Sequence, residues 1–189
     1  ADSIDAEDSE GDDVTVTGNV TGGDVELRTT GVSATFVTAS AVKSFEGDAS
    51  NEQDIGTFKV TFKVTAFEDD IYLDRSVTRD DATAGGSAGD GFMWATTTDS
   101  TVGTTSLSAS VSAKDSSGSD TSTKYKISKG QTREFTLSVD LDASDIDGYS
   151  AIQLTAINWT TDSSDGTPDN FYTANLDDFK TENQSLYTF

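Results

Sequence analysis

The chain of 189 residues carries 34 acidic and 12 basic side chains, a formal charge of −22, and neither histidine nor cysteine. So negative a surface repels phosphate backbones and anionic lipid headgroups, which excludes nucleic acid as a partner and leaves cations as the natural small ligands. Without imidazole or thiol, Ser-His-Asp and Cys-His catalysis, disulfide frameworks and thiolate zinc sites are all out of reach.

Hydrophobic types make up 33% of the chain, with 16 glycines and a single proline, Pro168. That composition suits one well-buried domain, and no apolar run reaches the length of a membrane-spanning helix, so direct membrane insertion is not expected. The opening residue, Ala1, matches a chain left after signal-peptide cleavage at a small residue, and a secreted, extracellular or cell-surface location is expected.

Residues 1–13 form an acidic run with Ile4 as the one large apolar side chain. Alternation then begins. Val14, Val16 and Val20 share one side of an extended segment, with Thr15, Thr17, Asn19 and Thr21 on the other. Residues 1–21 therefore read as an arm that ends in a strand, and residues 22–189 as the main domain. A Gly22-Gly23 turn and residues 24–29 lead to a β-branched and aromatic stretch at 32–45, in which Val32, Ala34, Phe36 and Val42 are expected to share a face.

The clearest pattern is TFKVTFKVTAFEDDIYL at 57–73. Phe58, Val60, Phe62, Val64 and Ala66 alternate with Thr and Lys, the mark of a half-buried strand. After Ala66 the apolar parity changes to Phe67, Ile71 and Leu73, so a bulge or a crossing from one sheet to another is required. Residues 75–81 read as a charged edge, 82–91 as a Gly and Ser connection, and Phe92, Met93 and Trp94 as the next strand. Leu107, Ala109, Val111 and Ala113 mark another, followed by 124–127 and by Phe135, Leu137, Val139 and Leu141. A single long strand is expected over 149–160, one turn over 176–180 and a short strand over 185–189. Strands near a ten-residue spacing, separated by Gly, Ser and Asp turns, predict an all-β fold: a two-sheet antiparallel β-sandwich or jelly roll with a strand-forming N-terminal arm.

Candidate chemistry is sparse. Ser40-Ala41-Val42-Lys43 fits an S-x-x-K pattern, but a strand points Ser40 and Lys43 to opposite faces, whereas acyl transfer needs them one helical turn apart. Paired carboxylates for glycoside hydrolysis arise by chance in so acidic a chain, so no enzyme is expected. Loop aspartates suit calcium better, because hard cations take several oxygen ligands. The candidates are Asp69, Asp70 and Asp74 at the parity change, and Asp145 and Asp147 beside Asp140 and Asp142; Asp162, Asp165 and Asp169 share a further loop. None follows EF-hand spacing, and no cofactor is required. N-x-[ST] triplets start at Asn19, Asn158 and Asn183, and Trp94 and Trp159 are candidates for a sugar-stacking platform or for core.

The segment GTFKVTFKVTAFEDDIY at 56–72 resembles one recurrent in secreted surface proteins of the ultrasmall candidate-phylum bacteria (Patescibacteria). ISKGQTREFTL at 127–137, Gly148-Tyr149, Ile157-Asn158-Trp159 and YTANLDDFK at 172–180 share the likeness, which covers about the C-terminal two thirds of the chain. It implies β-sandwich modules of structural, pilin-like cell-surface proteins and no catalytic residue. The function expected is a structural subunit of an extracellular filament or surface assembly, with copies of itself as partners. Val14, Val16 and Val20 would be the donor strand that completes a neighbour's sheet. The alternative is a glycan- or calcium-binding adhesion module.

Overall fold

Alternation at 57–66 builds the middle of a sheet. The computed structural model describes residues 31–46, 53–80, 91–97, 104–143, 148–166, 168, 170–173 and 175–187, and the structural statements below concern these. Among them there is no helix; twelve strands follow one another. These are β1 (Val32–Glu46), β2 (Gln53–Ala66), β3 (Ile71–Asp74), β4 (Val77–Arg79), β5 (Phe92–Thr96) and β6 (Thr104–Ala113). Then come β7 (Lys124–Ile127), β8 (Thr132–Ala143), β9 (Gly148–Ser150), β10 (Ile152–Trp159), β11 (Asn170–Tyr172) and β12 (Gln184–Leu186).

One sheet runs β1-β2-β8-β6, antiparallel throughout, and a second runs β11-β10-β5-β4, with β4 and β5 parallel. Two-stranded pairs β3-β7 and β9-β12 complete the fold, and a bridge between Tyr72 and Thr160 ties β3 to the end of β10. Phe58, Val60, Phe62 and Val64 of β2 and Phe135, Leu137, Val139 and Leu141 of β8 are completely buried, facing Phe92, Ile152, Leu154 and Ile157 from the other layer. Rings cross the gap: Phe62 lies 6.0 Å from Phe92 and Phe92 lies 5.6 Å from Phe135, centroid to centroid. The expected all-β architecture is therefore present, with its core between facing sheets.

The parity change after Ala66 is a crossing between sheets. β2 ends, the chain bends through 67–70, and β3 pairs with β7. The bend is held by the β7-β8 turn, where Gly130 adopts φ 73° and its amide donates to the Ala66 carbonyl at 2.9 Å. Ile71 and Leu73 are buried as expected, but Phe67 is exposed, because it sits in the bend rather than in either ladder.

Three other expectations are corrected. A bulge between Phe36 and Thr38 shifts β1 by one residue, so Ala39 and Ala41 join Ala34 and Phe36 on the inward side while Val42 turns outward, opposite Thr57. The strand expected at 149–160 is two: Ala151 separates β9, which pairs with β12, from β10, which pairs with β5 and β11. The final strand is Gln184–Leu186, starting earlier than expected.

Candidate functional site

Sheet edges are where an all-β protein meets other chains, because an edge presents unpaired backbone donors and acceptors. β4 and β11, which end the second sheet, have 3 residues each, and β6 exposes Ser108, Ser110 and Ser112. β1 differs: it has 15 residues, and among the described residues β2 is its one strand partner. Four of the seven large hydrophobics exposed in the described structure lie on it: Phe36 at 38%, Val37 at 42%, Val42 at 60% and Phe45 at 57%. An apolar edge of this length is a template for strand addition.

The inward side of β1 closes the sandwich with little volume. Opposite buried Val64, Val60 and Phe58 of β2 stand Ala34, Ala39 and Ala41, each only partly buried against the core. Phe36 contacts Phe179 edge-on at 5.9 Å, and beyond Ala41 the inward position belongs to Lys43. The Lys43 ammonium reaches buried Asp54 at 3.1 Å and lies 5.2 Å from the centre of the Tyr187 ring. Asp54 also accepts from the Tyr187 amide at 3.0 Å, locking the chain after β12 against β1 and β2. The result is a shallow alanine seam, ending at a fixed lysine, along an apolar edge.

Val14, Val16 and Val20, expected as donor strand, lie outside the described residues, as do Asp145 and Asp147. The other calcium candidates are not gathered into one site. Asp70 accepts the Lys126 ammonium and the Lys129 amide, and these bonds hold its carboxyl below the usual range, outweighing the opposing effect of burial. Asp74 accepts the Ser76 amide at 2.9 Å, while Asp69 is exposed beside Asp70, Tyr72, Lys129 and Thr161 in an open depression. Among the described residues no three acidic side chains converge as a metal site would require. At the 162–165 turn a protein cation already occupies the oxygen-rich position: the Lys124 ammonium donates to the carbonyl oxygens of Asp162 and Asp165.

Trp94 and Trp159 are 1% exposed and part of the core, which removes them as a sugar platform. Asn158 is buried within β10, so its triplet is inaccessible, whereas Asn183 is exposed and Asn19 is outside the described residues. Ser40 and Lys43 point to opposite faces of β1, as a strand requires. Sequence reasoning missed Val37, Ala39, Ala41 and Phe45. Two adjacent apolar residues, Phe36-Val37, followed by alanines of opposite parity, were the available sign of the bulge.

Comparison with protein-family models, with curated proteins and with solved structures finds no significant match for the chain.

Proposed function

We propose that this protein is a structural subunit of an extracellular filament or surface assembly, whose copies join by adding a strand to one another's sheets. The observation that carries the reading is the concentration of exposed Phe36, Val37, Val42 and Phe45 on β1, the longest edge strand among the described residues, whose inward side is lined with alanine. A long apolar edge in a monomer risks indiscriminate pairing; a subunit that adds a strand there buries it. Strand donation from copy to copy is head-to-tail and does not close, so it propagates into fibres. The likeness of residues 56–72 and 127–137 to secreted surface proteins supports the location, and both runs fall on fold elements: β2 through β3, and the turn from β7 into β8.

Negative-stain electron microscopy of the whole chain tests this against a variant lacking residues 1–21. Fibres that vanish on deletion support strand donation by the arm. Fibres that persist unchanged remove the arm from the contact, and discrete monomers from the whole chain overturn the reading.

A further inference from the structure

We infer that the stretch of β1 from Thr38 to Glu46 receives residues 14–20 of a second copy, running parallel to β1, with Val14 beside Ala39, Val16 beside Ala41, Gly18 beside Lys43 and Val20 beside Phe45. This deepens the assembly reading above and rests on it.

The bulge sets one limit. Between Phe36 and Thr38 the ladder is broken, so a straight incoming strand pairs continuously only beyond it. Past that point the inward positions of β1 are Ala39, Ala41, Lys43 and Phe45, with spacing two. The arm offers Val14, Val16, Gly18 and Val20 at the same spacing. Small residues on β1 leave room for valine at the first two places, and the bulky Lys43 meets the one residue without a side chain.

The opposite direction fits worse. Antiparallel over the same stretch, Gly18 falls beside Ala41 and leaves the seam unfilled, while Val16 crowds Lys43, which Asp54 at 3.1 Å and the Tyr187 ring hold in place. Sliding that arrangement to bring Gly18 back to Lys43 leaves Ala39 uncovered. Only the parallel register sets a valine beside both alanines and the glycine beside Lys43.

Direction decides the source of the strand. Returning from Phe45 to Val32 along β1 takes about 40 Å at the strand rise. The link from Val20 to Val32, fully stretched, reaches about 40 Å before any residue is used for the two reversals. A parallel strand at this position therefore comes from another copy. It also directs the acidic residues 1–13 back along β1 toward Lys63, an exposed lysine of β2 that stands opposite Thr35 of β1 and Glu134 of β8.

The chain has no cysteine, so single cysteines report cleanly. Neighbouring strand positions lie within disulfide reach. Val16→Cys and Ala41→Cys proteins are made separately, mixed before assembly and oxidised; Val14→Cys with Ala39→Cys repeats the test, and Val20→Cys with Ala39→Cys reports the antiparallel register. Expected is a covalent dimer of the two different variants for the first two mixtures, at least tenfold over the third, reversed by reductant. A dominant third mixture overturns the direction. A doubly substituted Val16→Cys, Ala41→Cys chain that forms its bond internally and runs as a monomer overturns the second-copy source. Fibres in the micrographs without cross-linking in any mixture leave the assembly reading standing and overturn β1 as its acceptor, and absence of fibres overturns both.

Discussion

Lys43 of β1 and Asp54 of β2 meet at 3.1 Å beside Tyr187, joining the exposed edge of the main sheet to the end of the last described strand. Asp54 is 2% exposed, and its carboxylate takes both the ammonium and the Tyr187 amide. Its own amide donates to the Tyr187 carbonyl at 2.9 Å. Asp54→Ala leaves the Tyr187 amide without this acceptor and is expected to cost about 1–3 kcal/mol in denaturant unfolding. Asp54→Asn keeps a side-chain acceptor and is expected to lose less. Amide exchange at Tyr187 should accelerate more than exchange at Phe62, which places the loss at this junction.

Val42 and Phe45 are more than half exposed, so their replacement leaves the core alone. Val42→Lys together with Phe45→Lys puts charge on the edge, which discourages strand addition. The melting temperature is expected to move by less than about 3 °C, consistent with a surface change. Fibre yield by sedimentation should fall at least tenfold. Unchanged yield would show that contacts form elsewhere.

Asp120 is the centre of an acid-sensitive clamp. Arg133 donates to both its carboxylate oxygens at 2.7 and 3.0 Å, the amides of Lys126 and Ser117 add to these, and the Arg75 and Arg133 guanidinium groups lie over Tyr125. Burial pushes the Asp120 carboxyl upward, but the Arg133 bonds and the backbone donors outweigh it, so its pKa is lowered. A depressed carboxyl contributes stability above its unfolded value, near 3.9, and loses it as pH falls through the folded value. Stability measured by urea unfolding should therefore drop below about pH 4. In Asp120→Asn the neutral-pH stability is lower and the acid-dependent drop is smaller.

Added salt acts in the other direction. With a formal charge of −22, like charges oppose compaction at low ionic strength, and screening relieves them. The melting temperature should rise between about 0.01 and 0.5 M sodium chloride, a range over which the screening length falls from about 30 Å to a few ångströms. Equal molar ionic strength from calcium chloride should do no more than this if screening is the cause. An excess effect at micromolar calcium would instead report a bound ion.

Gly91 sits against the Asp74 backbone so closely that an added Cβ would lie 1.8 Å from the Asp74 carbonyl oxygen. Its amide donates to the Ser76 hydroxyl and its carbonyl accepts from the Asn158 amide, so neither side is free to retreat. Gly91→Ala should destabilise by about 3 kcal/mol or more in thermal or denaturant unfolding, the range for steric conflicts in packed backbone.

Local alternation carried most of the fold. Phe58 through Ala66 and Phe135 through Leu141 read correctly because a residue buried on one side of a sheet must recur with period two, whatever the sheet packs against. The same logic identified the crossing after Ala66. It failed at Val42 and at Ala151. A bulge or a one-residue break changes parity without a strong compositional mark, and only the neighbouring strand shows which residue lost its partner. The calcium candidates illustrate a second limit: proximity in the chain put Asp69, Asp70 and Asp74 together, yet Lys126, distant in sequence, is the cation that Asp70 meets.

By itself, then, the sequence determined that this protein is all-β, strongly acidic and without imidazole or thiol chemistry, because charge, composition and period-two burial are properties of residues and their near neighbours. Which strand would be left at the edge was decided only by the tertiary structure. β2 was recognisable from its own pattern, and β1 is its neighbour in sequence, but the strand on its other side, β8, comes from far along the chain. Edge status is a statement about what is missing beside a strand, and pairing between distant segments settles it. That pairing put alanines under β1 and Phe36, Val37, Val42 and Phe45 along it, turning an ordinary hydrophobic stretch into the surface on which the proposed assembly depends.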